Sequence, residues 1–336
     1  MSIIVDQIAR ILRESKGIAA KADIASVVGS LGIAGDGAIP LGDDCAAIAD
    51  GDGYLLFAIE GFMNEFVAKD PWFAGWCGVM VNISDIAAMG GRPLAVVNAL
   101  WSEGLVGADP VLEGMRDASR RFGVPVVGGH TNLRTDRSQL AVAILGRANK
   151  LLTSFDAKPG ERLLAAVDLR GRYREPFSNW EAATDAPAER LRGDLDLLPR
   201  IAEAGLSKAA KDISQAGIVG TAAMLAECSG VAINIDLSSL PKPEGVSLER
   251  WLMTFPSFGY LLTVTPDRTE EISALFAKRG IACAEIGEIA QGSSVSTYEN
   301  GKSETIWDFA HQPLIGCGSI RREQAFGTEV KSPAKS

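Results

Sequence analysis

Asp70-Pro-Trp-Phe-Ala-Gly-Trp-Cys-Gly-Val-Met-Val-Asn-Ile-Ser-Asp-Ile-Ala-Ala-Met-Gly90-Gly91-Arg92-Pro93 is the stretch that decides how the chain is read. Asp70 supplies a side-chain acceptor at the N-cap, and Pro71 fills the first helical position, where its missing N–H is not needed. Gly90, Gly91 and Pro93 stop the helix. Between these signals the pattern is apolar nearly all round, which predicts a buried helix over 71–89. Asn82 and Asp85 lie one turn apart on the same face. A carboxylate late in a helix meets the negative end of the dipole, a penalty of a few tenths to about 1 kcal/mol. Burial without a partner costs more. Such a pair calls for a cation, or a metal-bound phosphate, opposite it.

Upstream, Gly42-Asp43-Asp44 sets two carboxylates side by side. Alone they read either as a solvated turn or as oxygen ligands for Mg²⁺. The apolar run Tyr54 to Ile59 predicts a buried strand ending on Glu60. Downstream, Leu94 to Trp101 is the next strand, and Asp109-Pro110 with Glu113 repeats the helix-start signal before a stop at Gly123. Val124 to Val127 is a strand running into Gly128-Gly129-His130-Thr131, either a tight turn or a set of backbone N–H groups facing an anion. The first half thus alternates strands with long helices.

Lys158-Pro159-Gly160 marks a turn into a second domain. Arg162 to Asp168 is a strand, and Tyr173 to Asp194 a charged insertion. Lys211-Asp212-Ile-Ser214-Gln215-Ala216-Gly217 leads into an Ala-rich helix ending at Gly230. Asp212 or Ser214 caps that helix, or its free N–H groups hold a phosphate. Strands follow at Val231 to Ile235, Gly259 to Thr265 and Ile281 to Ile289. Asn300-Gly301 reads as a hairpin turn. The expected organisation is a helix and mobile arm over 1–38, a first domain over 39–150, a second over 151–295, and a tail over 296–336. Lys16 and Lys21, on the arm, form either a solvated helix face or cations that close over a bound anion.

The 336 residues carry 42 acids against 33 bases, a net charge of −9, which argues against nucleic acid or an anionic membrane as a partner. With 47% hydrophobic and 22% charged residues the composition is that of a globular protein. Five scattered cysteines without paired spacing fit a reducing cytoplasm rather than a disulfide framework. Ile4, Ile8, Ile11 and Leu12 sit at helical spacing, so the N-terminus reads as an amphipathic helix, not a signal peptide. No apolar run approaches the roughly 20 residues of a membrane span. A phosphate-binding G-x-x-x-x-G-K-[ST] loop, a dinucleotide G-x-G-x-x-G fingerprint, a serine elbow and HExxH are all missing.

In this order and spacing the blocks from Ile39 to Ile289 resemble the superfamily of aminoimidazole ribonucleotide (AIR) synthetase and thiamine-monophosphate kinase. Selenophosphate synthetase and the hydrogenase-maturation carbamoyl dehydratase belong to the same superfamily. The most specific part is Val-Asn-Ile-Ser-Asp-Ile-Ala-Ala-Met-Gly, 81–90. The resemblance implies an α+β fold of two AIR-synthetase-like domains, with N-terminal sheets joined into a barrel in a homodimer. It also implies ATP and Mg²⁺ in a groove at that interface. By the same resemblance Asp43, Asp44, Glu60, Asp85 and Asp212 are the metal ligands. Gly42, Asn82, Ser214 and the turn Gly128, Gly129, His130 and Thr131 hold the nucleotide, and Lys16 or Lys21 is the electrostatic stabiliser. Departures from the kinase pattern fall at Glu60, at His130, and at Gln215-Ala216, where the kinases have acids or a glycine. Two carboxylates fewer imply fewer Mg²⁺ ions.

The expected function is transfer of the ATP γ-phosphoryl group to an oxygen of a small metabolite, a phosphate or an amide, or activation of that oxygen. One alternative is thiamine-monophosphate kinase proper. Another is a non-catalytic nucleotide-binding assembly subunit.

Overall fold

The structure is a computed structural model that describes residues 5–31 and 40–317. Ile4 of the expected first helix, residues 32–38 of the expected arm and residues 318–336 of the expected tail therefore lie outside the described residues. Two helices open the chain, α1 (Val5–Arg13) and α2 (Lys16–Leu31). The first sheet takes β1 (Ala46–Asp50), β2 (Gly53–Phe62), β3 (Arg92–Glu103), β4 (Val126–Asn132) and β5 (Arg134–Ala148) in the order β1-β2-β5-β3-β4. Neighbours are antiparallel except β3 and β4. Helices α3 (Asn64–Lys69), α4 (Pro71–Ala88) and α5 (Gly104–Phe122) complete this half.

Helix α4 is the expected one. The Asp70 side chain accepts from Phe73 N at 3.3 Å and Pro71 stands in the first turn. Its apolar circumference has a structural cause: it packs in two cores at once. Trp76, Val79, Ile83 and Ile86 join Leu56, Val142 and Ile144 of the first sheet, while Ala87 and Ala88 lie among Leu198, Tyr260 and Leu262 of the second half. Asp85 is thereby held at the seam.

The second half is built on seven strands: β6 (Arg162–Val167), β9 (Ala209–Asp212), β10 (Ala232–Asp236), β12 (Gly259–Val264), β13 (Ala282–Ala290), β14 (Ser294–Glu299) and β15 (Lys302–Asp308). Their order is β15-β14-β10-β13-β6-β12-β9. Helix α8 (Gly217–Ser229) buries Ile218, Val219, Ala222 and Leu225 on one face of this sheet, together with α1. Helices α7 (Leu197–Glu203) and α10 (Thr269–Ala277) cover the other face. The remaining elements are β7 (Arg172–Tyr173), β8 (Asn179–Glu181), α6 (Ala188–Leu195), α9 (Leu248–Leu252) and β11 (Phe255–Pro256).

Several expectations change. The strand from Tyr54 is longer and only half-buried: Leu56 and Ala58 point inward, while Phe57 and Ile59 are 50% and 65% exposed. Alternation explains this, since no helix among the described residues covers one face of the sheet. Helix α5 starts at Gly104 and runs through Pro110 rather than from it. Gly128 to Thr131 is not a turn but part of strand β4, paired with Val97 to Leu100. The insertion at 173–194 is ordered: β7 pairs with β8, β8 pairs in turn with β11 in a small three-stranded sheet, and α6 follows β8 in the chain. Of the expected tail, residues 296–308 instead form most of a hairpin on the edge of the large sheet. Asn300 and Gly301, at φ 52° and 78°, make its turn as the sequence predicts.

Candidate functional site

The loop Gly42-Asp43-Asp44, the C-terminal half of α4 and the end of β9 meet at the seam between the two sheets. Gly42 has φ +111°, and a Cβ there would lie 2.5 Å from the Cys317 Cβ, so only glycine fits. Asp43 is tied down: its oxygens accept Ser154 N at 2.7 Å, Ser154 Oγ at 2.6 Å and Asp44 N at 3.0 Å. Burial, then the neighbouring Asp44, push its carboxyl up to about 6, against the pull of Lys211 and Ser154. Asp44 forms an ion pair with Lys211, and the two side chains are 6% and 5% exposed. Burial alone lowers a lysine pKa, but Asp44, Asp43 and Asp212 together outweigh it and hold Lys211 protonated.

Asp85 is buried at 6% exposure, and its Oδ2 has no hydrogen-bond partner among the described residues. Burial first, then Asp212, Glu60 and Asp44, push its carboxyl well up. Asn82 is fully buried and gives its Nδ2 to Gly78 O at 2.8 Å, which orients the amide and leaves Oδ1 unpartnered. Asn82 thus presents an acceptor, suited to a cation or a metal-bound water rather than to a bare phosphate as the resemblance implied. Ser214 Oγ is a third buried oxygen without a partner, so Ser214 does not cap α8. Asp212, at the end of β9, is raised to about 8 by burial and by Asp44, with Lys211 and Lys21 opposing.

Glu60 stands at the mouth of this group on β2. Desolvation raises its carboxyl, and Lys21 is the chief influence against it. The arm therefore brings Lys21 to the acids, and Ile18 buried with Ala216 and Ile218 fixes α2 there. Lys16 is exposed at the start of the same helix.

The glycine segment lies across the sheet. Registers align Glu60 with Val142, Val142 with Asn98, and Asn98 with Gly129, three strand spacings or about 14 Å. Gly129 faces the same side as Glu60, and a Cβ there would meet Asn98 Oδ1 at 2.3 Å. Gly128 and His130 take the opposite face, and the His130 ring lies 6.2 Å from that of Trp101. Strand alternation thus separates His130 from the acids that it was expected to join. Thr131 shares the Gly129 face.

Among the described residues no three His, Cys, Asp or Glu side chains converge into a ready metal cage. Acids spaced along the seam still suit Mg²⁺, which keeps waters and takes one or two carboxylates plus phosphate oxygens. The donor set is all oxygen, and the unpartnered Asp85 Oδ2 and Asn82 Oδ1 are what such an ion would satisfy. Lys211 and Ser154 escaped sequence reasoning. The one signal for Lys211 was a lysine inside the apolar strand Ala209-Ala-Lys-Asp212, since buried cations are paired.

Fold and site define a two-domain α+β protein whose carboxylates line the seam between the domains. Residues 42–148 match the model of the AIR synthase related protein N-terminal domain, and residues 172–299 that of its C-terminal domain. The chain belongs to the AIR synthase related family. It is 47% identical to uncharacterized protein sll0787 of Synechocystis over 91% of this chain and 96% of that one. Uncharacterized protein MJ0640 of Methanocaldococcus jannaschii is 34% identical over 83% and 87%. The thiamine-monophosphate kinase of Caulobacter vibrioides is 25% identical over 80% and 83%. The fold is shared with "AaThiL complexed with AMPPCP and TMP", at TM-score 0.64, 21% identity and coverage of 84% and 96%. It is also shared with "PurLQS from Thermotoga maritima", at TM-score 0.72, 19% identity and coverage of 93% and 52%, so this chain spans about half of that one. No helix among the described residues is long and apolar enough to cross a membrane.

Proposed function

We propose that the seam binds Mg-ATP and that the protein transfers the γ-phosphoryl group to, or uses it to activate, an oxygen of a small metabolite. One observation carries this: Asp85 Oδ2 and Asn82 Oδ1, one turn apart on a buried helix, have no partner and stand in a field of further carboxylates. Evolved interiors do not leave such atoms without a ligand at no cost. Asp85, Asp212 and Glu60 would hold the ion, and Asn82 would orient one of its waters. Magnesium, when bound with the nucleotide, neutralises phosphate oxygens and opens the γ-phosphorus to in-line attack. Lys21 adds positive charge from the arm, and Gly129, about 14 Å across the same sheet face, would leave room for a part of the nucleotide away from the metal. The relatives' names point to phosphate or amide oxygens as acceptors, as in thiamine monophosphate.

A homodimer fits the same reading. The helix-free face of the first sheet exposes Phe57, Ile59, Val97 and Leu145, an apolar surface that a second copy would cover. The non-catalytic reading, a nucleotide-binding subunit, is favoured by one observation, the Lys211 ammonium already seated on Asp44. Calorimetric titration with Mg-ATP, followed by phosphate release across a panel of phosphorylated and amide metabolites, separates the two. Turnover on any member supports the enzyme. Binding without turnover throughout supports the subunit, and no binding refutes both.

A further inference from the structure

Lys211 sits where a cation is expected, yet it is part of the chain. It lies on the edge strand β9, is 4% exposed, and its Nζ bonds Asp44 Oδ1. Asp44 Oδ2 faces the backbone N–H of Asp212 at 3.4 Å, so both oxygens of this carboxylate are engaged by β9. The adjacent Asp43 is held by Ser154 and by Asp44 N. Two of the five acids are therefore committed to the protein. Of the other three, Asp85 keeps an unpartnered oxygen and stands in one electrostatic field with Asp212 and Glu60, and no three acids among the described residues converge on one point.

We propose that Lys211 is the resident cation of this site, a positioning residue that fixes Asp44 and takes the place of a second divalent ion, so that one divalent cation loads with each nucleotide. The inference rests on the Mg-nucleotide reading of the seam. Its basis is steric and Coulombic. An ammonium seated on Asp44 fills that coordination position and repels a dication next to it, while the remaining acids supply no more than one shell. Asp43, anchored through Ser154, then serves to hold the loop rather than to bind metal. A lysine is strongly hydrated and seldom buried without carboxylates around it, and this one has three acids in its field.

The test counts ions. Wild type, Lys211→Met and Lys211→Arg are saturated with AMPPCP and titrated with MnCl₂, the free Mn²⁺ being read by its paramagnetic resonance signal. The expected result is one Mn²⁺ per bound AMPPCP in wild type and in Lys211→Arg, and two in Lys211→Met, where the vacated Asp44 accepts a second ion. Two or more ions on wild type, or an unchanged count in a folded Lys211→Met, overturns the inference. If Lys211→Met does not fold, the wild-type count decides. Failure of wild type to bind AMPPCP with Mn²⁺ at all refutes the nucleotide reading itself, and this inference with it.

Discussion

Asp85 follows Asn82 by one helical turn on α4, and each ends in a buried oxygen that nothing among the described residues hydrogen-bonds. In the ligand-free protein this arrangement destabilises, because a buried carboxylate is left facing Asp212, Glu60 and Asp44. Asp85→Asn removes the ionisable group, keeps the shape and sets a permanent donor toward those acids. The ligand-free variant is expected to unfold at higher denaturant than wild type, a gain of about 1–3 kcal/mol. Equilibrium urea unfolding with a chelator present checks this, and a loss of stability would show that Asp85 is satisfied in the free protein.

A second expectation concerns the C-terminal segment. Glu227 of α8, 2% exposed, accepts the backbone N–H groups of Leu314, Ile315 and Gly316 at 3.0, 2.7 and 3.1 Å. Gly316 packs on Ala25 of α2, and Cys317 on Gly42. One carboxylate thus fastens the chain end across the arm and the acid loop. Glu227→Gln turns one acceptor into a donor facing donors, a cost of about 1–3 kcal/mol. Hydrogen exchange at residues 314–316 should speed up markedly, with smaller changes in α2 and at 42–44. Unchanged exchange there would disconnect the segment from the site.

The helix-free face of the first sheet makes a third. Ile59→Glu sets a charge in the middle of an apolar surface that includes Phe57, Val97 and Leu145. Sedimentation velocity should show dimers for wild type and monomers for the variant, with the monomer's circular dichroism unchanged. A wild-type monomer at tens of micromolar would remove the homodimer from the account.

Gly129 gives a fourth. A methyl group there would meet Asn98 Oδ1 at 2.3 Å and backbone Asn98 O at 2.5 Å, so β3 and β4 would have to part. Gly129→Ala should weaken nucleotide binding several-fold while the second half of the chain keeps its exchange protection. The double variant with Asn98→Ala, which clears the side-chain clash, should recover part of the loss.

Helix α4 was legible because its caps and its apolar circumference are local signals. So was the strand content of the second half, and so was the Asn300-Gly301 hairpin, where two residues dictate the turn. Asp85 could be singled out because a charge in an apolar run is anomalous on its face, Asp43-Asp44 because two carboxylates stand side by side after a glycine, and Asp212 only through the family resemblance. What could not be read depends on partners distant in sequence. Ser154 binds Asp43 from 111 residues away, and Lys211 meets Asp44 across 167. His130 was misplaced for a simpler reason: a Gly-Gly pair looks like a turn, and the face on which its neighbours point depends on pairing with β3. The exposure of Phe57 and Ile59 was hidden likewise, since an apolar strand reads as buried whether the covering surface belongs to the same chain or to another.

If Asp85 binds the metal of a nucleotide complex, calorimetry of Mg-AMPPCP on wild type and Asp85→Asn will separate the two proteins. Wild type is expected to bind in a way that chelation abolishes, and Asp85→Asn to bind at least about tenfold more weakly, or about 1.4 kcal/mol. Equal affinity in the two proteins, each shown to be folded, would contradict it.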